Sequence, residues 1–236
     1  MFRTALKKVD VDQVRRFITA EYLMLLAVGL SSLLIFFFID IADDVMEGDT
    51  LEADMAIMNL FRVPGDPTQV IGPPYLHEAV RDITALGSGT ILALIVTIVV
   101  AVLLMVNERR GAILIVVSTI SGAILSNTLK LGFSRQRPEF DTFYAEMTNS
   151  FPSGHAMLTA VTFLTLGALL ARIVDSWRLR VFFFAVAIIL TLGVGVSRVF
   201  LGVHYPSDVV AGWALGSAWA LAWSAIAAFL QRRGII

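Results

Sequence analysis

The chain contains no cysteine, only three histidines, and few charges for its length. The missing thiols exclude disulfides and thiol catalysis, while leaving the compartment open. Charged residues make up 16% of the 236 residues, where a soluble domain carries about a quarter. Apolar residues reach 57%, and the mean hydropathy is +0.80. That excess must face something other than water, and lipid is the default solvent for it. The net charge of −1 offers no basic field for nucleic acid. Linkers and low-complexity stretches are also lacking, so residues 1–236 read as one domain.

What is present is long apolar runs. A helix crossing about 30 Å of hydrocarbon needs roughly 20 apolar residues. Six segments qualify, near 22–39, 90–106, 111–129, 156–173, 181–196 and 209–230. The expected fold class is therefore all-α, an integral membrane bundle of six transmembrane helices with interfacial helices in the first outer loop. The first run is longer than a signal-peptide core and is followed by an acidic loop rather than a clear cleavage site, so it reads as an uncleaved anchor. Small residues recur in the last run (Gly212, Ala214, Gly216, Ala218), as close helix packing in lipid requires. Trp213, Trp219 and Trp223 read there as packing or interface anchors.

Orientation follows from the cations. Arg3, Lys7, Lys8, Arg15, Arg16, Arg109, Arg110, Arg172, Arg178, Arg180, Arg232 and Arg233 all fall on one side of a six-span layout. That side is expected to be cytoplasmic, with both termini on it, in a multi-pass protein of the inner (cytoplasmic) membrane. The other side holds only Arg62, Arg81, Lys130, Arg135, Arg137 and Arg198, together with an acidic first loop at about 41–87. Within that loop an apolar helical pattern near 55–62 precedes a proline-rich break (Pro64, Pro67, Pro73, Pro74), and an amphipathic piece follows near 75–86. These pieces either lie along the interface or lid the bundle, or form a solvated connector; periodicity does not decide between them. His77 reads as a solvated loop histidine.

Four of the six outer cations cluster in three short stretches, each at the outer end of an expected span. The first runs from Lys130 through Arg135 to Arg137 and Pro138. The second is Ser150, Phe151, Pro152, Ser153, Gly154 and His155. The third begins at Ser197 and Arg198 and ends at His204, Tyr205, Pro206, Ser207 and Asp208. Two of the three histidines lie here. Lys and Arg offer a phosphoryl group charge-assisted donors. Pro152 suits a first helical turn, and the exposed N–H groups beside Gly154 make an anion seat aided by the helix dipole. His204 and Asp208 are four apart, so the carboxylate can reach one imidazole nitrogen, set the tautomer and leave the other free to attack. No acidic cluster with metal-ligand spacing accompanies the histidines, so metal-independent chemistry without a cofactor is expected.

These stretches resemble the type-2 phosphatidic-acid phosphatase superfamily, also called lipid phosphate phosphatases, whose soluble relatives include vanadium haloperoxidases. That family carries Lys, six residues and Arg-Pro; then Pro-Ser-Gly-His; then Ser-Arg, five residues, His, three residues and Asp. Lys130 with Arg137 and Pro138, Pro152 through His155, and Ser197 and Arg198 with His204 and Asp208 match it throughout, over about 130–208. The resemblance implies a two-step reaction through phosphohistidine. His204 would attack phosphorus, Asp208 would orient it, and His155 would serve as general acid and then base. Lys130, Arg137 and Arg198 would hold the phosphate oxygens with Ser153 and the Gly154 amide. Ser197 would be a supporting hydrogen bonder, and Arg135 a headgroup contact. Ser126 and Asn127, inside the third span near Lys130, read as interhelical hydrogen bonders.

The expected partners are a lipid phosphate substrate and the bilayer. The expected activity is hydrolysis of a lipid phosphate or diphosphate, of the undecaprenyl diphosphate, phosphatidylglycerophosphate or phosphatidic acid type. Two alternatives stay open at this level: a lipid phosphotransferase using the same phosphohistidine, and a lipid transporter or structural bundle with a vestigial site. A vanadate-dependent peroxidase fits poorly, because those relatives are soluble.

Overall fold

The computed structural model describes residues 11–140 and 148–233, with side chains from residue 21 onward. Arg3, Lys7 and Lys8 of the expected cytoplasmic tail lie outside the described residues, as do the side chains of Arg15 and Arg16. Among the described residues eight helices follow in chain order: α1 (Val11–Glu47), α2 (Leu51–Asn59), α3 (Pro74–Ala85), α4 (Gly89–Met105), α5 (Arg109–Gly132), α6 (Gly154–Ile173), α7 (Trp177–Phe200) and α8 (Pro206–Arg232). Five of them are long and apolar enough to cross a membrane, and α3 with α4 makes a sixth candidate bent by 54°. At 17 residues α4 alone rises about 26 Å, slightly short of the hydrocarbon thickness. Leu33, Phe36, Ile98, Ile124, Phe182 and Ile189 are exposed on the outside of the bundle. In water such a surface would drive aggregation; in lipid it is the solvated face. The fold is the expected all-α membrane bundle.

The bundle is organised around α6, which packs against α5, α7 and α8, while α1 packs along α8. The small residues of α8 make the α6 contact possible. A Cβ at Gly212 would sit 2.7 Å from the Ser153 carbonyl oxygen, and one at Gly216 would sit 2.4 Å from that of Met157. Only hydrogen fits there, so the two helix starts are drawn together. Across the next interface the Trp213 indole lies over Gly195 and donates from Nε1 to the Thr191 carbonyl at 3.1 Å. Trp219 and Trp223 both donate to Ser121 Oγ at 3.1 Å. These three tryptophans are packing residues between helices.

The connection between α1 and α4 departs from the sequence reading. Helix α1 continues past the expected end near 39 to Glu47, because Ala42 and Val45 carry its buried face on from Phe38 while Asp40, Asp43, Asp44 and Glu47 stay exposed. Helix α2 lies about four residues earlier than the pattern at 55–62 suggested. The proline-rich break is not irregular: β1 (Arg62–Val63) and β2 (Asp66–Val70) form an antiparallel ribbon around Gly65, whose φ of +89° only glycine adopts easily. His77 is not a solvated loop residue. It lies on α3, half-buried, with Nε2 3.1 Å from the Ile71 carbonyl oxygen and its ring edge-on to Phe200 at 5.9 Å.

Candidate active site

Local chemistry brings the three polar stretches to one end of the bundle. Lys130 falls in the last turn of α5, where its Nζ donates to the Asn149 carbonyl at 2.8 Å. Asn149 returns a bond from Nδ2 to the Lys130 carbonyl, also at 2.8 Å, so the chain before α6 is clipped to the end of α5. Phe151, fully buried, stacks on Phe38 at 5.8 Å and meets Phe133 edge-on at 4.8 Å. This aromatic cluster pins Ser150 and Ser153 on either side of it. Ser153 is the N-cap of α6, its Oγ accepting from the Ala156 amide at 3.4 Å. Its own amide donates to the Asp208 carbonyl at 3.0 Å, tying the first turns of α6 and α8 together. Gly154 follows, with space for a Cβ bounded at 3.4 Å by Lys130 Cε and Ser126 Oγ. His155 comes next on α6, with its ring edge towards Gly87 in the α3–α4 turn.

His204 sits on the turn between α7 and α8. Gly202 makes that turn with φ of +74°, and a Cβ there would collide with Arg62 Nη2 at 2.4 Å. Arg62, 5% exposed, holds the turn by donating from Nη1 to the Phe200 carbonyl at 2.9 Å while lying over the Phe140 ring. Arg198, 2% exposed, lies in the last turn of α7 and donates to Thr84 Oγ1 at 3.3 Å. Asp208 is fully buried at N3 of α8, where its Oδ2 accepts from the Tyr205 amide at 3.0 Å.

The imidazole of His204 is 1% exposed. Its Nδ1 is 3.4 Å from Asp208 Oδ2 and 3.3 Å from Ser150 Oγ, and that hydroxyl is 2.5 Å from the same carboxylate oxygen. On the other side Arg137 Nη1 lies 3.1 Å from Nε2. A guanidinium has donors only, so Nε2 must carry the lone pair and Nδ1 the proton. Burial lowers the imidazole pKa, Asp208 raises it and Arg198 and Arg137 lower it further, which together bring it down to about 4. At neutral pH the ring is therefore uncharged, with a lone pair directed at a cation that can bind anions. Arg137 is itself held by the Val203 carbonyl and, through Nε and Nη2, by Thr148.

His204 thus touches Asp208 on one side and Arg137 on the other, while Lys130, Ser153 and Gly154 are joined to Asp208 through the start of α6. Arg198 acts on His204 through its charge. Ser150 joins the site without a role in the motif pattern; its sequence signal is a small hydroxyl residue directly before Phe151. Arg135 is not placed as a headgroup contact: both of its terminal nitrogens are occupied by protein side chains, Asp54 and Asp208 among them, and its plane lies over the Tyr205 ring at 4.1 Å.

The PAP2 superfamily profile matches residues 111–232, just over half of the chain. The chain belongs to the PAP2 superfamily. Phosphatidylglycerophosphatase B of Bacillus subtilis is 30% identical over 148 residues, which is 62% of this chain and 73% of that protein. An undecaprenyl-diphosphatase of Sulfolobus acidocaldarius is 35% identical over 118 residues, 47% of this chain and 52% of that protein. Among solved structures, a transmembrane PAP2-type phosphatidylglycerolphosphate phosphatase from Bacillus subtilis superimposes with a TM-score of 0.76 at 26% identity, covering 83% of this chain and 94% of that one. The family match together with these phosphatase relatives makes the chain a hydrolase of the lipid-phosphatase type, and its apolar helices with the membrane PAP2 structure make it a multi-pass membrane protein.

Proposed function

We propose that this PAP2 phosphatase hydrolyses a lipid phosphate or diphosphate of the phosphatidylglycerophosphate or undecaprenyl diphosphate type, through a phosphohistidine at His204, on the extracytoplasmic face. The observation that carries this reading is the defined tautomer of His204, with Nδ1 turned to Asp208 and Nε2 to Arg137. In the first step Nε2 would bond to phosphorus as the bond from phosphorus to the lipid oxygen breaks. His155 would give that oxygen a proton, and Asp208 would offset the positive charge that the ring acquires. In the second step water attacks the phosphorus, His155 takes a proton from it, and the bond to Nε2 breaks. Lys130, Arg137 and Arg198, with Ser153 and the Gly154 amide at the start of α6, would hold the three equatorial oxygens and supply the positive charge a metal provides elsewhere.

The lipid part has a matching surface. An apolar groove of about 430 Å³ runs between α4 and α5, lined by Leu92, Val96, Val100, Val116, Ile120 and Leu158. Leu158 is one turn beyond His155, so a hydrocarbon chain in the groove leads to the site. The face is argued from the cations: Arg109, Arg110, Arg172, Arg178, Arg180, Arg232 and Arg233 lie at the end of the bundle away from His204.

The test is phosphate release by purified protein from phosphatidylglycerophosphate, undecaprenyl diphosphate and phosphatidic acid, with His204→Ala alongside. Turnover of at least one lipid that EDTA leaves intact, orthovanadate blocks and His204→Ala abolishes is the expected result. Phosphate release by folded His204→Ala would remove the mechanism.

A further inference from the structure

The connection between α1 and α4 contributes a buried charge to this site. Asp54, on α2, is 3% exposed, and its carboxylate turns towards the start of α8. Its Oδ1 accepts from the Ser207 amide at 2.8 Å, and its Oδ2 from Ser207 Oγ at 2.5 Å and from Arg135 Nη2 at 2.7 Å. Arg135 then reaches onward: Nη1 donates to Asp208 Oδ1 at 2.7 Å and to Ser207 Oγ at 2.7 Å, and Nη2 also donates to Thr50 Oγ1 at 3.2 Å. One guanidinium therefore bridges two buried carboxylates that lie on helices far apart in the chain.

The bridge bears on the reaction because of how Asp208 divides its oxygens. Oδ2 serves the Tyr205 amide, Ser150 and His204, whereas Oδ1 is held by Arg135. A carboxylate without water needs a charged, hydrogen-bonding partner to stay ionised and in place. Arg135 supplies it with a planar fork, which fixes the direction of the Asp208 carboxylate as well as its charge. Asp54 in turn anchors the far side of that fork.

We propose that Asp54 and Arg135 are positioning residues for phosphoryl transfer: the α2 carboxylate fixes the guanidinium, the guanidinium fixes Asp208, and Asp208 orients His204. This rests on the reading of His204 and Asp208 given under Proposed function. A relay of this kind differs from a latch that merely holds α2 against the bundle. A latch affects folding and the fraction of active protein, whereas a relay affects the chemical step.

The test is a double-mutant cycle with Asp54→Asn, which is nearly isosteric, and Arg135→Gln, measured as kcat and KM per active site with melting temperatures recorded alongside. Each single variant is expected to lower kcat roughly 10–100-fold, the range typical of groups that orient a ligating side chain, with KM within about threefold. The double variant should be little worse than Arg135→Gln alone, because the two residues act through one route. Arg135→Lys should recover part of kcat, since it keeps the charge but not the fork; it also carries the test if Arg135→Gln fails to fold. Wild-type kcat per active site in folded Asp54→Asn, or effects that multiply in the double variant, would overturn the relay. If those results come with an inactive His204→Ala, the relay alone fails; if His204→Ala is active, the reading of the site fails with it.

Discussion

Arg137 Nη1 rests 3.1 Å from His204 Nε2, so in the resting protein a cation covers the nitrogen lone pair. Under the proposed mechanism a phosphate would come between them, exchanging a contact with a neutral imidazole for one with an anion. That exchange favours binding, because hydrogen bonds from a guanidinium to an anion are roughly twice as strong as neutral ones. It also places phosphorus next to the lone pair.

Arg137→Lys tests this arrangement. Lysine keeps the charge, but it cannot engage Thr148, Val203 and a phosphate at once, as the guanidinium fork can. The variant is expected to fold and to lose about 100-fold in kcat, the scale of one lost transition-state donor. Phosphate release by purified protein, with a melting curve for folding, measures it. A loss under threefold would show that charge alone suffices.

The neutral state of His204 has a consequence for stability. In the unfolded chain its imidazole takes a proton near 6.5, while in the fold it resists protonation to about 4. A depressed folded value means that stability is complete above about pH 6.5 and is lost as pH falls towards 4. The full loss from this residue would be on the order of 3 kcal/mol. His204→Gln removes the titration. Melting temperature in detergent should therefore fall more steeply between pH 7 and pH 5 in the wild type than in His204→Gln. Parallel slopes would show that the fold leaves the proton affinity of His204 where it stands in the unfolded chain.

The motif residues were legible in the sequence because their spacing is local. Three residues separate His204 from Asp208 around the start of one helix, and the run from Ser150 to His155 announces a helix N-terminus by its proline, serine and glycine. The six apolar runs were legible because hydrocarbon thickness fixes their length. Asp54 was not, since it looks like one more acid in an acidic loop; its partners lie across the fold, and no periodicity encodes that meeting. Arg135 was misread for the same reason: a cation between two motif cations looks available until an acid from another element is placed against it. The β-ribbon was hidden by its prolines, which ordinarily demote a strand but are tolerated in a short two-stranded edge.

The distance between α6 and α8 decides whether the Ser153 amide meets the Asp208 carbonyl, and Gly216 sets it at the level of Met157. A Cβ at Gly216 would lie 2.4 Å from the Met157 carbonyl oxygen and 2.8 Å from Ala160 Cβ. The oxygen belongs to a helix backbone, so it cannot swing aside as a flexible side chain would. Gly216→Ala is therefore expected to destabilise by about 1–3 kcal/mol, the usual cost of overpacking, although alanine is the better helix former. Gly29, on α1, has nothing within 4 Å of its would-be Cβ, so Gly29→Ala should leave stability unchanged or raise it by up to about 1 kcal/mol. Opposite shifts of melting temperature for one chemical change at two glycines would locate the effect in the α6–α8 contact. Turnover should fall with stability in Gly216→Ala and not in Gly29→Ala, because only the former moves the helix start that carries His155 relative to the one that carries Asp208. Equal behaviour of the two variants would mean that the helices part without disturbing the site.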